Sequence, residues 1–181
     1  MAMGSAYTAL RINNDKTKGF LTRLLSMPMK RWVILGSHIV ASTIFMLISV
    51  LSVLLIGLVL GYRPQATIGD FLLFTLLIVL FAVSLTVLAI PFSLTAKDYA
   101  GAGAFSYILI FLLFISPAFV PVAGMAKPVR LFAENQPMTP IIETTKNLLA
   151  GTFSFGSQSS LLTLLWLALL LSFFSFLSMK R

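Results

Sequence analysis

Residues 15–32 read DKTKGFLTRLLSMPMKRW, and residues 33–60 continue VILGSHIVASTIFMLISVLSVLLIGLVL. The first stretch holds Asp15, Lys16, Lys18, Arg23, Lys30 and Arg31; the second holds no Asp, Glu, Lys or Arg. A helix over 32–60 is longer than the roughly 20 residues needed to cross about 30 Å of hydrocarbon, so it should span with tilt. Lys30, Arg31 and Trp32 then form the interface anchor of this first span. Within the charged stretch, Phe20, Leu21, Leu24 and Leu25 fall on one face of a short helix beginning at Thr17, with Lys18 and Arg23 turned away from it. Pro28 should stop that helix, because the residue before proline avoids the α conformation. On pattern alone, the segment either floats on the headgroups or docks a protein.

Composition agrees with the span. The 181 residues are 59% hydrophobic and 10% charged, with mean hydropathy +1.01, whereas soluble domains are about 45–50% apolar and about 25% charged. The fold class is therefore all-α integral membrane. A net charge of +8 comes from basic residues beside apolar runs, where anionic lipid and the positive-inside rule explain them. No basic, aromatic-interleaved surface remains for nucleic acid. Without cysteine there are no disulfides or thiolate metal sites, and no basic-then-apolar opening suggests a signal peptide.

Working outward, residues 1–14 are too short and mixed to span, and read either as a loose tail or as the last turns of a helix expected to begin upstream of Met1. His38 is the sole ionisable side chain inside any span. Ser37, Ser42 and Thr43 surround it, which favours a hydrogen-bonded packing role over a proton relay. Residues 61–69 form a turn rich in Gly and Pro. A second span covers 70–93, with Asp70 suited to its N-terminus and Pro91 expected to kink or unwind its far end. A third covers about 104–120, and a loop over 123–136 follows. A short helix over about 140–150 has Thr139 as N-cap, Pro140 at its first position and Gly151 after its last turn. Ile141, Ile142, Leu148 and Leu149 share one of its faces, and Glu143, Lys146, Asn147 and Ala150 the other. Too short to cross, it dips into the membrane or lies in the interface. The fourth span is about 159–178. The chain thus divides into a segment 1–31 and a transmembrane domain 32–181.

Lys and Arg beside the spans set orientation. Arg11, Lys16, Lys18, Arg23, Lys30, Arg31, Lys97, Lys180 and Arg181 flank one side; Arg63, Lys127, Arg130 and Lys146 flank the other. Both termini are expected on the cytoplasmic side of the cell membrane, with the short 140–150 helix opposite. No phosphate loop, zinc-protease or nucleophile-elbow motif occurs, and beyond Asp70 at the N-terminus of span two, spans two to four hold no Asp, Glu, Lys, Arg or His. A cation-coupled transporter would place carboxylates near the midplane. The chain is not expected to be an enzyme, and its energy, if it uses any, comes from a partner.

Two separated stretches resemble one family. Asp15-x3-Gly19-Phe20-Leu21-x-Arg23-Leu24-Leu25-x2-Pro28-x2-Arg31 resembles the cytoplasmic segment of type-2 ABC exporter permeases of the daunorubicin-resistance branch. Phe114-Ile115-Ser116, Phe119, Pro121, then residues 132–140 (FAENQPMTP) and a helix ending Leu148-Leu149-Ala150-Gly151 are similar to that family's outer segment. The resemblance implies a coupling helix that docks on a separate ATPase through Gly19, Phe20, Arg23, Leu24, Leu25 and Pro28. It also implies a re-entrant outer region including Ser116, Pro121, Asn135, Pro137, Thr139 and Lys146. The family commonly has Met-Pro where Met125-Ala126 stands here, and Arg where Lys146 stands. It has six spans against the four visible here, so the chain is expected to lack the first two.

The function so implied is the permease subunit of an ATP-driven exporter of a lipophilic or amphipathic, drug-like or lipid-like substrate. It would work in the bilayer as a homodimer, with ATP and magnesium held by the partner ATPase and no cofactor or metal in this chain. The alternative is a small four-span assembly or regulatory protein without transport activity.

Overall fold

The computed structural model describes residues 2–19, 31–96, 99–116 and 127–179. Among them the chain is helical throughout: α1 (Ala2–Thr17), α2 (Arg31–Val59), α3 (Ile68–Thr95), α4 (Tyr99–Phe114), α5 (Lys127–Asn135), α6 (Met138–Leu149) and α7 (Gln158–Met179). Of the two readings left open for residues 1–14, the helix is the one found, and it runs on to Thr17. The short helix expected to begin at Thr17 therefore does not begin there. Asn13, Asn14 and Asp15 are poor helix formers, but Asn13 is buried and its amide donates to Ser93 O and Ala96 O, each at 3.3 Å. Those bonds hold the last turns of α1. Gly19, at φ +71°, then ends the helix in the left-handed conformation that favours glycine.

The apolar runs became the long helices. α2 and α3 contain stretches, Gly36–Val59 and Ile68–Ser93, long and apolar enough to cross a membrane. Ser49 and Ser52 in α2 donate back to Phe45 O and Ile48 O at 2.9 and 2.8 Å. Their hydroxyls therefore need no water, as a lipid-facing helix requires. At the start of α3, Thr67 and Asp70 cap each other: Asp70 Oδ2 accepts from Thr67 N (2.9 Å) and Thr67 Oγ1 (2.7 Å), while Asp70 N donates to Thr67 Oγ1. Pro91 does not unwind α3. The helix continues to Thr95, because the N–H groups after the proline still find partners; Ala96 N, for example, reaches Phe92 O at 3.0 Å.

The remaining helices depart further from expectation. α4 lies earlier than the expected 104–120 span; its 16 residues rise about 24 Å, short of a hydrocarbon core of about 30 Å. Residues 117–126 lie outside the described residues. α5 occupies what was expected to be loop. Its Pro128 sits in the first turn, where no N–H is needed, and Arg130 and Glu134 pair one turn apart at 2.8 Å. α7 has 22 residues, its bounds within a residue of 159–178 at each end, and its apolar stretch Gln158–Ser172 is shorter than the two in α2 and α3. Ser157 caps it by accepting from Ser160 N at 3.3 Å.

The chain forms two compact units. One comprises Met1–Gly57 and Phe81–Ile108, with a core including Ile12, Met46, Phe81, Leu85 and Ile90. The other comprises Leu58–Leu80 and Leu109–Arg181, with Phe74, Ile78, Met138, Ile141, Leu148 and Leu167 inside.

Candidate functional site

The second unit carries the outer residues singled out by sequence. α5 and α6 are joined by Gln136 and Pro137 alone, and a turn this short forces the two helices into a corner. Pro137, at φ −62° and ψ −28°, occupies the N-cap position of α6 without a side-chain cap. Thr139 is therefore not the N-cap expected. It lies inside α6, and its hydroxyl donates back to Ala133 O while accepting from the Gln136 amide at 3.2 Å. Both partners lie on the α5 side of the corner, so one buried hydroxyl closes it. Asn135, the last residue of α5, donates from its side chain to Leu131 O at 2.8 Å and offers its own carbonyl to the Trp166 indole of α7 at 3.1 Å.

α6 packs along α7. Its buried side includes Met138, Thr139, Pro140, Ile141, Thr144 and Leu148; Ile142 and Leu149 are half-buried, and Glu143, Lys146 and Ala150 are exposed. Between the helices Thr144 and Thr163 share a buried hydrogen bond of 3.0 Å, and Thr163 donates onward to Ser159 O at 2.7 Å. At its C-terminus α6 closes with Gly151 N on Leu148 O and Thr152 N on Asn147 O, the paired arrangement that an αL glycine permits. Gly151 stands at φ +67°, as its place after the last turn requires. The connection after α2 docks here too, with Gln65 N donating to Leu149 O at 3.1 Å.

Asn135, Pro137 and Thr139 are thus brought together. Ser116 is buried beyond the end of α4, donating to Leu113 O at 2.6 Å. Lys146 is exposed in the last turn of α6. Pro121 lies outside the described residues, as do Phe20, Arg23, Leu24, Leu25 and Pro28 of the docking set; Gly19 is described, and ends α1. Sequence reasoning missed Trp166, Thr144, Thr163 and Gln65. The usable signal was chemical: an indole N–H or a hydroxyl on an apolar helix needs an acceptor. It named the need but not the partner.

Chemically, the Thr139 hydroxyl and the Asn135 amide hold backbone carbonyls and the Gln136 amide holds the Thr139 hydroxyl; no cluster of three or more potential metal ligands exists among the described residues. The corner is a brace. Thr139→Val leaves Ala133 O and the Gln136 amide buried without their partner, which costs about 1–3 kcal/mol. Thermal unfolding in detergent should show the loss, and Thr139→Ser should recover most of it. Equal stability of the valine variant and the parent would show that the hydroxyl does not hold the corner.

In the first unit, the Nε2 of His38 lies 3.9 Å from Asp15 Oδ2. Nearby, Thr8 and Ser42 share a hydroxyl hydrogen bond of 2.7 Å.

The family described as ABC-2 type transporter matches residues 1–150. The chain is similar to the daunorubicin resistance ABC transporter permease protein DrrB1 of Streptomyces coeruleorubidus, 23% identical over 156 residues, covering 86% of this chain and 55% of that protein. The chain thus spans just over half the length of the curated relative it matches. No solved structure matches it.

Proposed function

Because this chain belongs to the ABC-2 type transporter family, we propose that it is the membrane-spanning permease part of an ATP-driven exporter, powered by a separate ATPase subunit. The family match carries the reading, since residues 1–150 include both the 15–31 stretch and the 127–149 corner. Its physical corollary is that energy must enter from outside, because the sequence holds no phosphate loop of its own.

In this reading four spans cross the cell membrane with both termini inside, and the chain works as a homodimer with two ATPase copies. Gly19, Phe20, Arg23, Leu24, Leu25 and Pro28 form the docking element. ATP and magnesium bind in the partner, whose closure displaces that element and α2 with it. Ser116, Pro121, Asn135, Pro137, Thr139 and Lys146 belong to the outer mouth, where the braced α5–α6 corner provides a stiff edge. The proposed cargo is lipophilic or amphipathic and enters from the inner leaflet. The uncharged spans support that class, as does the relative's name as a daunorubicin resistance permease.

A photocrosslinking residue at Phe20 or Arg23, followed by mass spectrometry of the products from native membranes, tests the docking role. The expected product joins this chain to an ABC ATPase. Recovery of crosslinks to lipid or to unrelated proteins alone would turn the reading toward a four-span assembly or regulatory protein.

A further inference from the structure

Four contacts in the first unit pair α1 with α2: Gly4 lies against Met46, Tyr7 stacks on Phe45 at 5.9 Å between ring centres, Thr8 bonds Ser42, and Asp15 meets His38. As the position rises along α1 it falls along α2, which is the register of two antiparallel helices. The last contact is the one nearest the sequence 20–30 that joins them. We propose that Asp15 and His38 form a clasp holding α1 and α2 together at the two roots of that segment, so that a displacement of the segment is delivered to both helices as one body. The inference rests on the reading of residues 19–28 as the docking element.

Asp15 is otherwise badly placed. A carboxylate in the last turn of a helix faces the negative end of the helix dipole and is disfavoured there. His38 is equally conspicuous, the one ionisable group of the apolar helix α2 beyond Arg31 at its first position. Each supplies the reason for the other. Both side chains are largely shielded, 23% and 13% exposed for Asp15 and His38, so the pair is less screened by water than a surface ion pair. Removing one partner strands the other at the edge of a hydrophobic span.

On its other side the same end of α1 is tied down. Asn13 donates to Ser93 O and Ala96 O, Ser93 donates to Ala9 O at 2.7 Å, and Lys16 Nζ reaches Ala96 O at 3.5 Å. The last turns of α1 are therefore anchored to the end of α3, and the clasp adds α2 to that body.

The absence of cysteine makes the test direct. Nitroxide labels on the full chain at Thr17→Cys and Val33→Cys, two exposed positions flanking the segment, report the distance between the roots by pulsed electron resonance in proteoliposomes. The parent chain should give one narrow distance. Asp15→Asn and His38→Gln should each lose the narrow component, and the exchange Asp15→His with His38→Asp should restore it. In the complex with its ATPase, ATP and magnesium should leave the parent distance unchanged and split that of Asp15→Asn. A narrow distance surviving in both single variants, failure of the exchange to restore it, or an ATP-driven split in the parent would each overturn the clasp. Co-purification of an ATPase with the parent chain is scored separately, so failure of the docking reading is not confused with failure of the clasp.

Discussion

Leu24→Asp combined with Leu25→Asp should abolish co-purification of an ABC ATPase with this chain while leaving the chain in the membrane. The proposed docking face presents Phe20, Leu24 and Leu25 to a partner. Burying a leucine side chain contributes about 1.5–3 kcal/mol, so two leucines account for about 3–6 kcal/mol of association. At about 1.4 kcal/mol per tenfold in affinity, losing them weakens the complex by at least about a hundredfold. The introduced carboxylates add the cost of burying unpaired charge. Leu24→Ala with Leu25→Ala removes only the apolar contribution and should give an intermediate yield. Leu24 and Leu25 lie outside the apolar runs of the chain, so membrane levels should hold. Full recovery of the ATPase with the double aspartate variant would sink the docking assignment.

Gly151→Ala should be more damaging than the same change at Gly19, the left-handed glycine that follows α1. Two separate costs meet at Gly151. At φ +67° an alanine pays about 1–2 kcal/mol for the left-handed conformation. Its Cβ would also stand 2.6 Å from Gln65 O and 3.2 Å from Gln65 C. Backbone atoms cannot rotate aside as a side chain can, so the connection must move and the Gln65 N to Leu149 O bond is strained or lost. The bond loss adds about 0.5–1.5 kcal/mol. Gly19 separates the two costs: it has φ +71° but no described residue within 4 Å of the added Cβ, so Gly19→Ala carries the conformational cost without a described clash. For a chain of this size each kcal/mol moves the melting temperature by about 2–4 °C. Thermal unfolding of both variants in detergent should place Gly151→Ala below Gly19→Ala. Equal melting temperatures would show that Gln65 yields freely and that the connection is not locked onto α6.

The parts of this fold that could be read in advance are those governed by a local rule. α2, α3 and α7 were legible because hydrocarbon demands long uncharged runs whose backbone groups bond internally. The body of α6 and its glycine stop, and Asp70 in the first turn of α3, were legible because caps act over three or four residues. Other elements obeyed partners that no local window contains. Asn13 and Asn14 are poor helix formers, yet α1 runs through them because Asn13 reaches Ser93 and Ala96, some 80 residues on. Thr139 has the composition of an N-cap, but the hydroxyl closes the corner on Ala133 instead. α5 is only 9 residues long, a length at which isolated helices are marginal and tertiary context decides.

By itself the amino-acid sequence determined that this is a helical membrane chain with a charged segment before its first long span, since apolar length and charge placement are additive along a chain. Only the tertiary structure decided that α1 ends where a docking helix was expected to begin, that Asp15 lies beside His38, and that Trp166 holds the end of α5 while Thr163 and Gln65 hold α6. A buried hydrogen bond or ion pair is satisfied by whichever group the fold brings within about 3–4 Å, and separation in sequence does not enter that condition.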